Sequence, residues 1–74
     1  MLRKRSFTLA GHRTSVALEP EFWAALEALA ARRGATLSAL ISNTDAARGP
    51  TQPLASALRV MALEAASHSA LTDG

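Results

Sequence analysis

The chain has 74 residues and 49% of them are hydrophobic, but 17 of those 36 are alanine, leaving 19 larger apolar side chains including Met1. So few seldom sustain a domain under about 80 residues alone; the absence of cysteine excludes disulfides and cysteine-ligated zinc, and two histidines 56 positions apart are a poor basis for a structural metal, leaving a second copy of the chain as the stabilising partner. The net charge of +2 divides unevenly, with +4 over residues 1–18, before the first acid at Glu19, and −2 over the remainder.

The chain opens Met-Leu-Arg-Lys-Arg-Ser-Phe-Thr-Leu-Ala-Gly-His. This start is basic but lacks the apolar run of a secretory signal. No segment approaches the roughly 18–20 apolar residues of a membrane span, so a soluble cytoplasmic protein is expected. Heavy use of alanine and arginine suggests a GC-rich bacterial genome. Arg3, Lys4, Arg5 and Arg13 on a mildly acidic body make a pattern suited to nucleic acid or an acidic partner. The plainer reading is a solvated terminus.

Residues 13–18, Arg-Thr-Ser-Val-Ala-Leu, alternate as a strand does. Thr14, Val16 and Leu18 point one way, and Arg13, Ser15 and Ala17 the other. Residues 5–9 alternate more weakly, with Phe7 and Leu9 on one side. Ala10-Gly11 reads either as the tight turn of a hairpin or as part of an extended arm. A strand with one buried face needs a pairing partner, which is either residues 5–9 or the same strand of a second chain.

Glu19-Pro20-Glu21 starts a helix, with proline in the first turn and carboxylates at the positive end of its dipole. Phe22, Leu26 and Leu29 form an apolar stripe beside Trp23 and Ala30. Arg32 and Arg33 in the last turn and Gly34 as a stop bound this helix to 20–33. Thr36 caps a second helix whose inner face is Leu37, Leu40, Ile41 and Thr44, ended by Arg48-Gly49-Pro50. A third begins near Pro53, with Leu54, Leu58 and Met61 in one stripe that Val60 and Leu63 widen. Residues 67–74, small and polar, are expected to form a disordered tail. The organisation is a single domain over 1–66, with a basic N-terminal arm and an extra C-terminal helix.

With the strand Arg13–Leu18, the helix start Glu-Pro-Glu-Phe-Trp at 19–23 and the second-helix entry Gly34-Ala-Thr-Leu-Ser-Ala-Leu-Ile41 in view, the sequence resembles the ribbon-helix-helix family. It looks like a subgroup of short bacterial members with an Arg5-Ser-Phe-Thr-Leu-Ala-Gly-His-Arg-Thr-Ser-Val16 stretch and a third helix like Leu54-Ala-Ser-Ala-Leu-Arg-Val60. The resemblance covers roughly residues 4–63. It implies a mainly α fold with a short β ribbon, an intertwined homodimer with intermolecular antiparallel strands, and a ribbon in the major groove of double-stranded DNA. Carried over by position, Arg13, Ser15 and Ala17 would face the bases. Arg3, Lys4, Arg5 and His12, with Thr36, Leu37 and Ser38 at a helix start, would meet phosphates. Val16, Leu18, Phe22, Leu26, Leu29, Leu37, Leu40 and Ile41 would form the dimer core. Two of the three ribbon-face residues are small, which thins direct base reading.

These features lead to a DNA-binding transcriptional regulator, cytoplasmic and nucleoid-associated. The alternative is a protein-interaction module or antitoxin-like protein whose third helix docks a partner or extends the dimer to a tetramer. Membrane-surface binding ranks lowest, because Leu2, Phe7 and Leu9 make no long amphipathic face. Trp23 reads as a plug between the first and third helices rather than a base-stacking platform. Asp45 and Glu64 are ordinary helix surface charges, and neither a catalytic constellation nor a cofactor is expected. His12 reads as a turn residue or a phosphate contact, and His68 supports no site.

Overall fold

The computed structural model describes residues 1–73, with side chains described through Ser67. Two strands, β1 (Arg3–Leu9) and β2 (His12–Leu18), lead into three helices: α1 (Pro20–Arg32), α2 (Leu37–Ala47) and α3 (Leu54–Asp73). The strands form an antiparallel two-stranded sheet whose pairing runs from Leu9 opposite His12 to Arg3 opposite Leu18. Ala10 (φ 52°) and Gly11 (φ 82°) both have positive φ, as a two-residue hairpin turn of the twist-matching type demands. The antiparallel partner of β2 is therefore β1, within one chain. Arg3, Lys4 and Arg5 are strand residues, not a loose arm.

A two-residue turn is closed by a hydrogen bond between its flanking residues. Hydrogen-bonded pairs then recur at alternate positions, so the backbone groups of Arg13, Ser15 and Ala17 face the other edge of β2. Pairing with a second copy, expected from the resemblance, would have to use that edge.

The helix boundaries follow local chemistry. The Glu19 carbonyl accepts from the amides of Phe22 (3.0 Å) and Trp23 (3.2 Å) as α1 begins. After Arg33, Gly34 takes φ +65°, a left-handed conformation that glycine adopts without a Cβ penalty. The Thr36 hydroxyl accepts the Ala39 amide at 3.0 Å and caps α2.

The core lies between the inner face of the hairpin and the helices. Leu18, Leu26, Ile41 and Leu58 are fully buried, each contributing about 1.5–3 kcal/mol relative to exposure. Of the expected dimer core, Val16, Leu18, Leu26, Leu29, Leu40 and Ile41 are buried, and Phe22 and Leu37 half-buried, in the single chain. Ala30, Ala57 and Ala62 are themselves buried, and small side chains let helices approach closely and close the core. Thr44, the one buried polar side chain among the described residues, donates to the Leu40 carbonyl at 2.8 Å and lies 3.5 Å from the Met61 sulfur. On the far side of α3, Val60 and Leu63 remain 47% and 58% exposed. The tail expected over 67–74 lies, Ser67 apart, outside the residues whose side chains are described.

Candidate nucleic-acid interface

Cross-strand partners in an antiparallel pair project to the same face. Phe7, Leu9, Thr14, Val16 and Leu18 thus turn toward the helices. The outer face carries the pairs Lys4–Ala17, Ser6–Ser15 and Thr8–Arg13. Five of these six residues are exposed and Ala17 is half-buried. Arg13, Ser15 and Ala17 sit outward as the alternation predicts. Ser6 and Thr8, and the outward position of Lys4, were not anticipated. The signal was present, since a two-residue turn at 10–11 pairs every position with the one whose number completes 21. The Ser6 and Ser15 hydroxyls lie 3.1 Å apart and share one hydrogen bond, leaving further donor and acceptor capacity on both. This face contains no carboxylate.

Arg3 and Arg5 project to the opposite, helix-facing side, where they and Lys4 line an open groove of about 380 Å³ with Pro20, Trp23, Ala24 and Glu27. Arg5 is engaged there. Its guanidinium donates to Glu27 Oε1 at 2.6 Å and stands 5.2 Å from the Trp23 ring centre, a cation–π distance. Both members of the ion pair are about half exposed, so it contributes at most about 1 kcal/mol. Its larger effect is to offset one of the basic charges counted as a phosphate contact. Trp23 is buried and donates Nε1–H to the Arg3 carbonyl at 2.9 Å, and its ring meets Phe7 at 5.9 Å. It packs between α1 and β1, and its burial leaves no face for a nucleotide base.

His12 is exposed beside the turn. At the start of α2, the Thr36 hydroxyl is occupied by its cap, Leu37 is half-buried and Ser38 is exposed. Elsewhere the charges pair locally. Arg48 bonds Asp45 at 2.8 Å and the Gln52 carbonyl at 2.7 Å, and Arg59 donates to Glu19 at 3.0 Å while lying 5.9 Å from the Phe22 ring centre. A hydrogen bond from its own backbone amide, and then the Arg59 guanidinium, hold the Glu19 carboxyl below its ordinary pKa. Among the described residues, no helix is long and apolar enough to cross a membrane.

A strand ribbon followed by helix and helix, with a polar outer strand face over a shared helical layer, is the architecture of the ribbon-helix-helix class. A family model described as Ribbon-helix-helix domain matches residues 2–66, and the chain belongs to that family. No curated protein and no solved structure gives a significant match. In general, members of the family are DNA-binding transcription regulators or antitoxin-like proteins, typically non-enzymatic, and bind DNA as dimers.

Proposed function

We propose that this protein is a homodimeric bacterial transcriptional regulator that places a two-stranded ribbon in the major groove of double-stranded DNA. The observation that carries the reading is the outer hairpin face, with Lys4 and Arg13 at opposite corners, hydroxyls between them and no acid. Arg13 has the reach and geometry for guanine O6 and N7, Ser15 can bond several base edges, and Ala17 offers a methyl contact to thymine. Lys4, Arg3 and the exposed His12 serve phosphates, as do the amides of Leu37 and Ser38 at the positive end of α2.

With Arg5 paired to Glu27 and Arg13 on a base, Arg3 and Lys4 remain for phosphates in each chain, so a dimer neutralises about four phosphates and the dependence of log K on log salt should have a slope near −4. Fluorescence anisotropy on duplex DNA at several salt concentrations tests this. Binding insensitive to salt would sink the proposal, and so would its persistence, with the same sequence preference, after Arg13→Ala.

The exposed Val60 and Leu63 on α3 favour a second reading, in which that helix docks a protein partner or joins dimers into a tetramer. Analytical ultracentrifugation of wild type and Leu63→Lys separates the two. A change in assembly state on substitution supports the α3 contact between copies. An unchanged state removes Leu63 from any contact between copies and favours a different protein as the partner of α3.

A further inference from the structure

We infer that the free edge of β1 is a docking site for an extended acidic segment of another protein. The segment adds to the hairpin as a further strand and sets its carboxylates in the groove beside α1. Arg3, Arg5, Phe7 and Leu9 hold the backbone bonds to β2, so Lys4 and Ser6 turn their N–H and C=O groups to the opposite edge. Among the described residues no other backbone group bonds them, and both residues are exposed. An unpaired edge of this kind is a template for one more strand.

The groove gives this edge its selectivity. It is open, about 380 Å³ in volume, and lined by Arg3, Lys4 and Arg5 of β1 with Pro20, Trp23, Ala24 and Glu27 of α1. No residue of β2 lines it, so it opens along the β1 side. Three cations face one carboxylate, and that carboxylate already shows the bond an incoming acid makes, with Arg5 donating to Glu27 at 2.6 Å. Among the described residues Arg3 and Lys4 form no ion pair. Opposed residues of paired strands share a face. Acids two apart on the added strand therefore stand over Arg3 and Arg5, and one of them replaces Glu27.

A peptide suits this edge better than a nucleic-acid backbone. Phosphodiesters accept hydrogen bonds but do not donate, which leaves the Lys4 and Ser6 carbonyls unmatched. A second copy does not supply the segment, because the one pair of acids two apart, Glu19 and Glu21, flanks Pro20 where α1 begins. Arg3 and Lys4 are also the phosphate contacts of the proposed DNA complex, so the segment and duplex DNA should compete. That consequence rests on the proposed function, whereas the docking does not.

The test is anisotropy of the full chain with a labelled peptide that alternates glutamate and valine. In the control peptide proline replaces valine, which keeps the charge and removes the amides a strand needs. The control should bind roughly 10-fold more weakly or worse. Arg3→Gln and Arg5→Gln should each weaken the first peptide roughly 2- to 5-fold, and Glu27→Gln should tighten it by a similar factor. Circular dichroism confirms that each variant folds. Amide hydrogen exchange at Lys4 and Ser6 should slow in the complex, while Ser15 on the far edge keeps its rate.

Equal binding of the two peptides would show charge attraction without strand addition and overturn the inference. Slowed exchange at Ser15 in place of Lys4 and Ser6 would put the peptide on the other edge and overturn it too. So would duplex DNA that slows Lys4 and Ser6 as much as the peptide does, because the edge would then hold nucleic acid. If duplex DNA does not bind at all, the proposed function and the competition fail, and the peptide results still decide the docking site.

Discussion

The indole Nε1 of Trp23 donates to the backbone carbonyl of Arg3 at 2.9 Å, across twenty residues of sequence. One bond ties the first residue of β1 to the first turn of α1, and with Phe7 against the same ring it fixes how the hairpin lies on the helices. Trp23→Phe keeps most of the apolar bulk but leaves the carbonyl without this partner. It should cost about 1–2 kcal/mol, and Trp23→Ala about 3–5 kcal/mol. Urea denaturation followed by circular dichroism measures both, and an unchanged midpoint for Trp23→Phe would show that the bond contributes nothing.

Glu27 restrains Arg5 at a solvent-exposed site. Glu27→Gln should change stability by less than about 1 kcal/mol. It should tighten binding to duplex DNA, with a steeper salt slope, because one more cation per chain becomes free for a phosphate. Weaker binding would mean that Arg5 acts through its position against Trp23 and not through its charge.

Ala10 occupies a positive-φ position next to Gly11, where an alanine Cβ is crowded. Ala10→Asn creates the Asn-Gly pair that such turns prefer and should stabilise the chain by about 0.5–1 kcal/mol, seen as a raised thermal midpoint. A lowered midpoint would show that the turn differs from the type its φ angles indicate.

The Glu19 carboxyl lies below its ordinary pKa because of its own backbone amide and then Arg59. A depressed carboxylate binds protons less readily folded than unfolded, so its stabilisation is present above the unfolded value, about 4.3 for glutamate. It fades as pH falls through the lower folded value. Glu19→Gln should flatten this part of the acid unfolding profile and leave the neutral side of the curve similar in shape. An identical acid limb in both proteins would remove Glu19 from the account.

Features set by neighbouring residues were readable in the sequence. Alternation placed Arg13, Ser15 and Ala17 outward, Thr36 announced its cap, and Gly34 ended α1. Contacts closed by the fold were not. The β1 strand was ambiguous because its own alternation is weak, and its identity as strand or arm depends on Trp23 and Phe7 meeting across sixteen positions. Longer separations, of 22 and 40 positions, hid the pairing of Arg5 with Glu27 and of Arg59 with Glu19. Counting only large side chains also understated the core within one chain. Ala30, Ala57 and Ala62 occupy buried positions that such a count treats as spacers.

The two-residue turn at Ala10-Gly11 has a genetic corollary. Side chains alternate strictly along a strand, so one codon added to or lost from this turn shifts the pairing by a residue and exchanges the faces of β1. Phe7 and Leu9 would then turn to water, and Ser6 and Thr8 would turn into the core. Substitutions within the hairpin alter one contact at a time, whereas a change in its length scrambles packing and outer face together. Descendants of this gene should therefore diversify the ribbon by exchanging residues while the spacing from Phe7 to Val16 stays constant.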